Sequence, residues 1–428
     1  MRFSIKAYFQ RSLTSPRQSG MPRFQRGLPH ISSSTSAGGV KSSPRNSGEK
    51  SRPWLQTGTL LVAFPAFLQT VDLWGVYGGS ALILLVNTTL ATVPLGAPHP
   101  RWYRWLAGVT LALLLFSAVY GAVQLRRDWD AGAPSLRVGL IQPNVAQDRK
   151  WNQALAGQLF QRHLRLTEQV AAQGADLAVW PESSVPYSFD KGVQIRDRLH
   201  ALAREGDLAV LVGTNRAAPA EGNPTGGDYN SLVLYTPEAG PGGAYDKVHL
   251  VPYGEYVPLA RWLPFIKPLT AAVGNFVPGT DYHVIPFAPG GLGGLVCYES
   301  IFPQASRRLA GNGAALLVNG TNDAWFAGSA APLQHLRHAR VRAVETRRYL
   351  VRAANTGISG IIDPAGRVRR RTRWDEETVL VGTVTPRTGR TAWVRAGFLF
   401  PWVCIMLTLA ALAATWRRRE RPSPGESR

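Results

Sequence analysis

Three stretches of the chain stay apolar for about the twenty residues that a bilayer crossing requires: Trp74 to Val93, Trp105 to Leu125 and Phe398 to Trp416. The last opens with Phe-Leu-Phe-Pro-Trp and stops at Arg417-Arg418-Arg419, an aromatic belt followed by a basic stop. Ends marked by Trp and Arg predict spanning helices rather than buried core helices. A fourth stretch, Trp54 to Val71, is interrupted by Gln56, Pro65 and Gln69, and is expected either to span or to lie at the interface. Residues 54–126 are therefore expected to hold two or three spans.

Between Ser135 and Thr385 the periodicity changes. Short apolar runs predict strands at Leu136–Gln142, Leu177–Trp180, Ala209–Thr214, Asn230–Tyr235, Val284–Phe287, Gly294–Cys297 and Ala315–Asn319, then at Tyr349–Ala353, Ser359–Ile362 and Val379–Val384. Helical spacing predicts an amphipathic helix over Asn152–Gln173, a second over Asp190–Arg204 and a long third over Leu333–Arg348. Many strands with few helices imply a layered α/β sandwich with mixed sheets, occupying residues 127–395.

The 428 residues suffice for one large domain with accessory segments, and 45% of them are apolar. The net charge of +21 gathers partly at the two ends. Residues 1–53 are rich in Ser, Gly, Pro and Arg, with Glu49 as their one acidic residue, and are expected to be disordered. Residues 417–428 form a basic, polar tail. The arginines are scattered and lack interleaved aromatics, which argues against nucleic acid as a partner. Beside apolar spans the same charge is explained by cytoplasmic anchoring. The tail and the Pro98–Arg104 connection are therefore expected on the cytoplasmic side, and residues 128–395 on the outer side. Arg126 and Arg127 stand against that assignment, and the terminal basic run outweighs them.

Cys297 and Cys404 are the two cysteines, one in the folded region and one in an apolar terminal segment, so no disulfide is expected between them. No Cys/His cluster has metal-ligand spacing, and neither a metal nor a cofactor is implied. The chemistry concentrates at strand ends. Cys297 terminates the run Gly-Gly-Leu-Val, Glu182 terminates Leu-Ala-Val-Trp-Pro, and Lys247 follows Ala-Tyr-Asp. A glutamate, a lysine and a cysteine so placed can form an acyl-transfer triad of general base, oxyanion stabiliser and nucleophile. Burial at the strand end is expected to raise the pKa of Glu182, and Lys247 is expected to lower that of the thiol. Each residue alone has a plainer reading: a solvent-facing glutamate, a surface lysine, a small buried cysteine.

With these residues in place, further segments carry a resemblance. They are Gln142-Pro143-Asn144 with Trp151 nearby, Trp180-Pro181-Glu182, Tyr229-Asn230-Ser231 and Tyr245-Asp246-Lys247-Val248-His249-Leu250. Val251-Pro252-Tyr253-Gly254-Glu255-Tyr256-Val257-Pro258, Cys297-Tyr298-Glu299, Asn322-Asp323-Ala324-Trp325-Phe326 and Arg352-Ala353-Ala354-Asn355-Thr356-Gly357-Ile358-Ser359 complete the set. Together they resemble the carbon–nitrogen hydrolase (nitrilase) superfamily and, within it, the apolipoprotein N-acyltransferase family; Asp72 to Gly78 and Ile83 to Ala91 resemble that family's fifth membrane helix. The resemblance covers roughly residues 54–416. It implies a four-layer α-β-β-α sandwich flanked by transmembrane helices in a bacterial inner membrane, with the catalytic domain on the periplasmic side. It implies Glu182 as general base, Lys247 as oxyanion stabiliser and Cys297 as nucleophile. Glu255 would support Lys247, the Tyr298 N–H would complete the oxyanion hole, and Glu299 would orient the nucleophile loop. Trp151 and Trp325 would sit on loops over the site as acyl-chain or gating residues, with core packing as the alternative, and Asn230 and Tyr256 would be packing or supporting positions.

The implied reaction takes an acyl group from a membrane glycerophospholipid, through a Cys297 thioester, to the amine of a diacylated apolipoprotein's N-terminal cysteine. A monomer is expected. The alternatives are a membrane-tethered amidohydrolase and an inactive truncated membrane protein. The family's pattern has six membrane helices ahead of the catalytic region, more than this chain accommodates. A misassigned start or a frameshift at residues 1–53 is the expected cause, a genuinely shortened enzyme the alternative.

Overall fold

The computed structural model describes residues 53–92, 100–132, 134–188, 192–219, 226–238, 240–256, 275–326 and 328–419. The basic stretch read as disordered, the end of the polar tail, and Val257-Pro258 of the long motif lie outside these residues.

Two mixed sheets form the centre. The first runs in the order β13 (Thr378–Val384), β1 (Leu136–Gln142), β2 (Leu177–Val179), β4 (Ala209–Ala217), β5 (Asp228–Thr236), β6 (Gly240–Asp246), with β3 (Val185–Ser188) also paired to β4. The second runs β12 (Val368–Arg371), β11 (Gly360–Ile362), β10 (Tyr349–Ala354), β9 (Leu316–Thr321), β8 (Leu292–Val296), β7 (Val284–Ile285). Strands β1, β2 and β4 are parallel, as are β8, β9 and β10. Strand β13 closes back antiparallel on β1 from Leu136↔Val384 to Gln142↔Thr378.

Side-chain alternation explains the layers. Leu140, Val179, Leu211, Leu232 and Leu234 share one core with Val296, Val318 and Val351 of the second sheet. Their neighbours Ile141, Ala178, Val210, Val212 and Val233 face the other way, into a second core with helices α3 (Ala156–Ala171) and α4 (Val193–Glu205). Both faces being covered, these strands read as continuous apolar runs. In α3 the buried set Leu159, Phe160, His163, Leu164, Leu166 and Val170 follows the helical period. Helices α5 (Pro303–Gly311) and α6 (Ala331–Thr346) cover the outer face of the second sheet, contributing Leu309, Leu336, Ala339 and Ala343. The result is the four-layer α-β-β-α sandwich that the sequence pattern and the resemblance imply.

Among the described residues, three helices are long and apolar enough to cross a membrane: α1 (Val71–Thr92), α2 (Pro100–Arg126) and α8 (Leu399–Arg419), the last preceded by the short α7 (Ala392–Ala396). The Trp54–Val71 stretch is not a spanning helix. It forms short helical turns at Pro53–Leu55, Thr57–Ala63 and Pro65–Leu68, broken where its polar residues and Pro65 fall. Leu61, Val62 and Leu68 pack with Val71 and Val76 of α1 and with Val341 and Val344 of α6, so these turns lie against the sandwich. Gly75 adopts φ +66°, and a Cβ there would stand 2.7 Å from the Trp393 ring, so the bend in α1 against α7 requires glycine.

Arg347 pins the helices to the sandwich. Its Nη2 lies 2.7 Å from Asp72 Oδ2 in α1, and its Nη1 donates to Gln69 Oε1 at 2.6 Å and to the Pro364 carbonyl at 3.0 Å. Tyr120 of α2 donates to the same Asp72 carboxylate at 2.8 Å. Both charges are buried. Arg347→Ala therefore strands a buried carboxylate, and should destabilise the protein by about 3–5 kcal/mol. The double variant Arg347→Ala/Asp72→Ala should lose less, and thermal unfolding of the detergent-solubilised chain measures the difference.

Candidate active site

The parallel strands of both sheets end at one edge, and the three candidate residues meet there. Glu182 follows β2, Lys247 follows β6 and Cys297 follows β8. Pro181 and Glu182 can turn over β4 because Gly213 offers no side chain; a Cβ there would lie 2.1 Å from the Pro181 carbonyl oxygen. Cys297 has φ +50° at the start of the 3₁₀ turn Cys297–Ile301, a left-handed conformation that swings the thiol out of the strand line.

Lys247 is sealed between two carboxylates. Its Nζ lies 2.8 Å from Glu255 Oε1 and 3.3 Å from Glu182 Oε1, and Asn230 Nδ2 donates to the same two oxygens at 2.9 and 2.8 Å. Burial works against the Lys247 ammonium, yet Glu255 and then Glu182 hold its pKa above the usual lysine range. Glu255 Oε2 accepts from the Val251 N–H at 2.7 Å, and Glu182 Oε2 from the Asn322 N–H at 3.0 Å. Thus Glu255 and Asn230 both act on the lysine–glutamate pair.

A second lysine, to which the sequence pattern assigns no role, completes the charge balance. Lys150 is 5% exposed at the end of the turn Gln147–Lys150, and its Nζ donates to the Glu182 carbonyl at 2.7 Å. Burial lowers its pKa to about 8 against the opposing pull of Glu182. Its sequence context, Gln-Asp-Arg-Lys, is that of a solvated turn, so no local signal marks it.

The expected pKa directions reverse. Burial does push Glu182 upward, but Lys247, then Lys150, then the hydrogen bond from Asn230 hold it below the ordinary carboxylate value. Burial and then Glu182 push the Cys297 thiol up to about 12, with Lys247 pulling the other way without prevailing. The resting pair is therefore a neutral thiol beside a carboxylate, the thiol within hydrogen-bonding range of Glu182 and of Thr321.

Glu299 braces the turn that begins at Cys297. Its carboxylate accepts from the Val296, Val248 and His249 N–H groups at 2.8, 2.8 and 3.1 Å and from the Tyr245 hydroxyl at 2.9 Å, joining the Cys297 turn to the Lys247 loop. Behind the thiol lies a network absent from the sequence reading. His335 Nε2 meets the Cys297 carbonyl at 2.9 Å, its Nδ1 lies 3.1 Å from Asp323, and Arg352 Nη2 donates to Asp323 at 2.6 Å. Arg352 also donates to Asn319, whose amide reaches the Leu295 carbonyl at 2.8 Å. Burial raises Asp323, but Arg352 and His335 hold it below the usual range. Only His335's distance in sequence from the cysteine hid it.

Trp151 and Trp325 are both exposed, at 44% and 64%, rather than packed in the core. Trp151 adjoins Lys150, with the ammonium 5.9 Å from the ring, and Trp325 lies in the turn Asp323–Phe326. Tyr256 is also exposed. Tyr298 contacts Trp54, ring centroids 6.3 Å apart, so the residue after the thiol touches the segment leading into the membrane helices.

The carbon–nitrogen hydrolase family profile matches residues 137–392. An apolipoprotein N-acyltransferase of Geobacter metallireducens is 40% identical over 372 residues, covering 86% of this chain and 70% of that protein. The enzyme of the same name from Bradyrhizobium diazoefficiens is 32% identical over 386 residues, covering 87% and 70%. Among solved structures, an amidase of Nesterenkonia AN1 from the nitrilase superfamily aligns with a TM-score of 0.46 at 21% identity, over 66% of this chain and 97% of that one. The chain belongs to the carbon–nitrogen hydrolase family and, within it, to the apolipoprotein N-acyltransferases.

Proposed function

We propose that this chain transfers a fatty acyl group from a membrane glycerophospholipid to the free amine of the diacylglyceryl-cysteine that begins an apolipoprotein. The observation that carries the reading is the neutral Cys297 thiol beside the Glu182 carboxylate, within a buried Lys247–Glu255–Lys150 charge cluster. Cys297 Sγ attacks the ester carbonyl carbon and its proton passes to Glu182. The new oxyanion is stabilised by the Lys247 ammonium and by the Tyr298 N–H, which sits in the first turn of a 3₁₀ helix, where N–H groups lack internal acceptors. Collapse breaks the bond to the glycerol oxygen, which takes the proton from Glu182 and leaves as a lysophospholipid. The lipoprotein amine then attacks the thioester, Glu182 accepts its proton, and expulsion of the sulfur yields the amide and restores the thiol. Glu299 and His335 position the nucleophile turn, and Trp151 and Trp325 offer exposed aromatic surface to acyl chains.

The setting follows from the same parts. Three membrane-length helices among the described residues, the Trp54–Tyr298 contact and the basic tail support a multi-pass inner-membrane protein with its catalytic domain on the periplasmic side.

Incubation with phospholipid should add one acyl mass to the intact protein, absent in Cys297→Ala and discharged by a diacylated lipopeptide. Acyl loss to water alone, with no lipopeptide dependence, would identify an amidohydrolase-type esterase instead. Glu182→Gln should slow adduct formation by about 10²–10⁴-fold. Because the resting thiol is protonated, iodoacetamide alkylation in a Cys404→Ala background should be slow at pH 7 and rise about tenfold per pH unit to pH 10. A rate already on its plateau at pH 7 would mean that a resting thiolate, not proton transfer to Glu182, supplies the nucleophile.

A further inference from the structure

We propose that a basic cavity at the junction of the membrane helices and the sandwich binds the phosphate of an anionic phospholipid headgroup, apart from the catalytic edge. The cavity, of about 480 Å³, is bounded by the start of α1, the end of α2, the residues between α6 and β10, and the segment Pro386–Ala392 ahead of α7. It therefore opens where two membrane-length helices reach the domain, the depth at which headgroups lie.

Its charge is one-sided. Arg127, Arg347, Arg348, Arg387 and Arg390 line it against a single carboxylate, Asp72, which Arg347 already engages. Three of the guanidinium groups lie over one indole: Arg127, Arg347 and Arg387 are 4.7, 5.0 and 5.3 Å from the Trp129 ring. The ring's negative face offsets part of their mutual repulsion and holds them as a set. Arg348 points to the missing partner. It is 1% exposed, its Nε and Nη1 donate to the Ala314 and Thr346 carbonyls at 2.8 Å each, and its Nη2 has no acceptor among the described residues. An unpaired buried guanidinium N–H is unfavourable, and a phosphate oxygen, which takes paired N–H donors, relieves it. Burial, then Arg387 and Arg390, lower the Arg348 pKa to about 10, the strain an added anion would remove.

The site is not the acyl-donor site. Arg348 precedes β10, whereas the Glu182–Lys247–Cys297 cluster lies at the carboxyl ends of the strands, and six strand residues span about 20 Å. A lipid held here keeps its ester bonds. It seats the domain on the bilayer, and it accounts for Arg127, which the charge-based topology leaves unexplained. The net positive lining favours an anionic headgroup over a zwitterionic one.

The test is native mass spectrometry of the full chain, released from nanodiscs of phosphatidylglycerol mixed with phosphatidylcholine. One phosphatidylglycerol should be retained in preference to phosphatidylcholine, and its addition should raise the unfolding temperature. Arg387→Gln/Arg390→Gln, which alters partly exposed side chains, should weaken retention at least tenfold, and Arg348→Gln should do so without the other two changes. Unchanged retention in the double variant, or equal retention of phosphatidylcholine, overturns the proposal. Inorganic phosphate that binds the lipid-free protein and is not displaced by phosphatidylglycerol would assign the cavity to a soluble anion and also overturn it. Retention is read without turnover, so failure of the acyl-transfer reading leaves this result intact.

Discussion

Charge neutrality in a dry space is the constraint around which the candidate active site is organised. Glu182 and Glu255 bring two negative charges, Lys247 and Lys150 two positive ones, and all four side chains are buried. Ionising Cys297 outright would add an uncompensated charge to this set, and the thiol is accordingly held as the neutral form. Passing its proton to Glu182 instead leaves the total unchanged, because the thiolate appears as the carboxylate disappears. Under the proposed mechanism, a site built this way would keep the thiol unreactive until an acyl carbonyl is in place, with no charge imported when it reacts. Asn230, bonded to both carboxylates, and Asn322, donating its N–H to Glu182, hold the geometry that makes the exchange short.

The central strands were legible because both faces of each sheet are covered. Leu136–Gln142 and Ala315–Asn319 are apolar at successive positions, and they lie in the middle of their sheets. The strands that escaped are edge or irregular ones. Gly240–Asp246 carries Gly240, Pro241, Gly242 and Gly243 in an edge position, and Val368–Arg371 presents arginines along the opposite sheet's edge. Edge strands are kept polar or broken by glycine to discourage further pairing, so they do not look like strands. Of the two alternatives for Trp54–Val71, a span or an interfacial segment, the spanning helix does not form, for a related reason. Leu61, Val62, Leu68 and Val71 pack against the sandwich while Leu55, Leu60 and Phe64 stay exposed, and composition does not distinguish a surface of protein from a surface of lipid.

Among the site residues, Glu182, Lys247 and Cys297 were legible from their places at strand ends together with the motifs around them. Lys150 and His335 were not, and Arg352 stood only at the head of a motif with no role attached. Lys150 looks like part of a charged turn, and it lines a small cavity with Pro181, Ser184 and Asn355, which are distant in sequence. The wrong directions for Glu182 and Cys297 have the same origin. Burial acts on Glu182, and Lys247 on the thiol, in the directions expected, but each is outweighed. The deciding term for Glu182 is the pair of lysines, one of them invisible until the chain is folded.

One helix carries the geometry from the thiol to the membrane. Near its start, His335 of α6 holds the carbonyl of Cys297; in its last turn, Glu345 pairs with Arg342 and accepts the Val76 N–H of α1 at 2.8 Å; just past its end, Arg347 grips Asp72. Sixteen residues of helix make a rigid rod of about 24 Å. Every one of these contacts is buried, so none is loosened by screening or by water. The separation of Cys297 from the start of α1 is therefore held by α6, along the twelve residues, about 18 Å, from His335 to Arg347. The proposed acyl transfer, with donor and acceptor both anchored in lipid, would need such a fixed height. If the thiol stood at a variable height, the two substrates, both held by their acyl chains, would reach it in register only by chance.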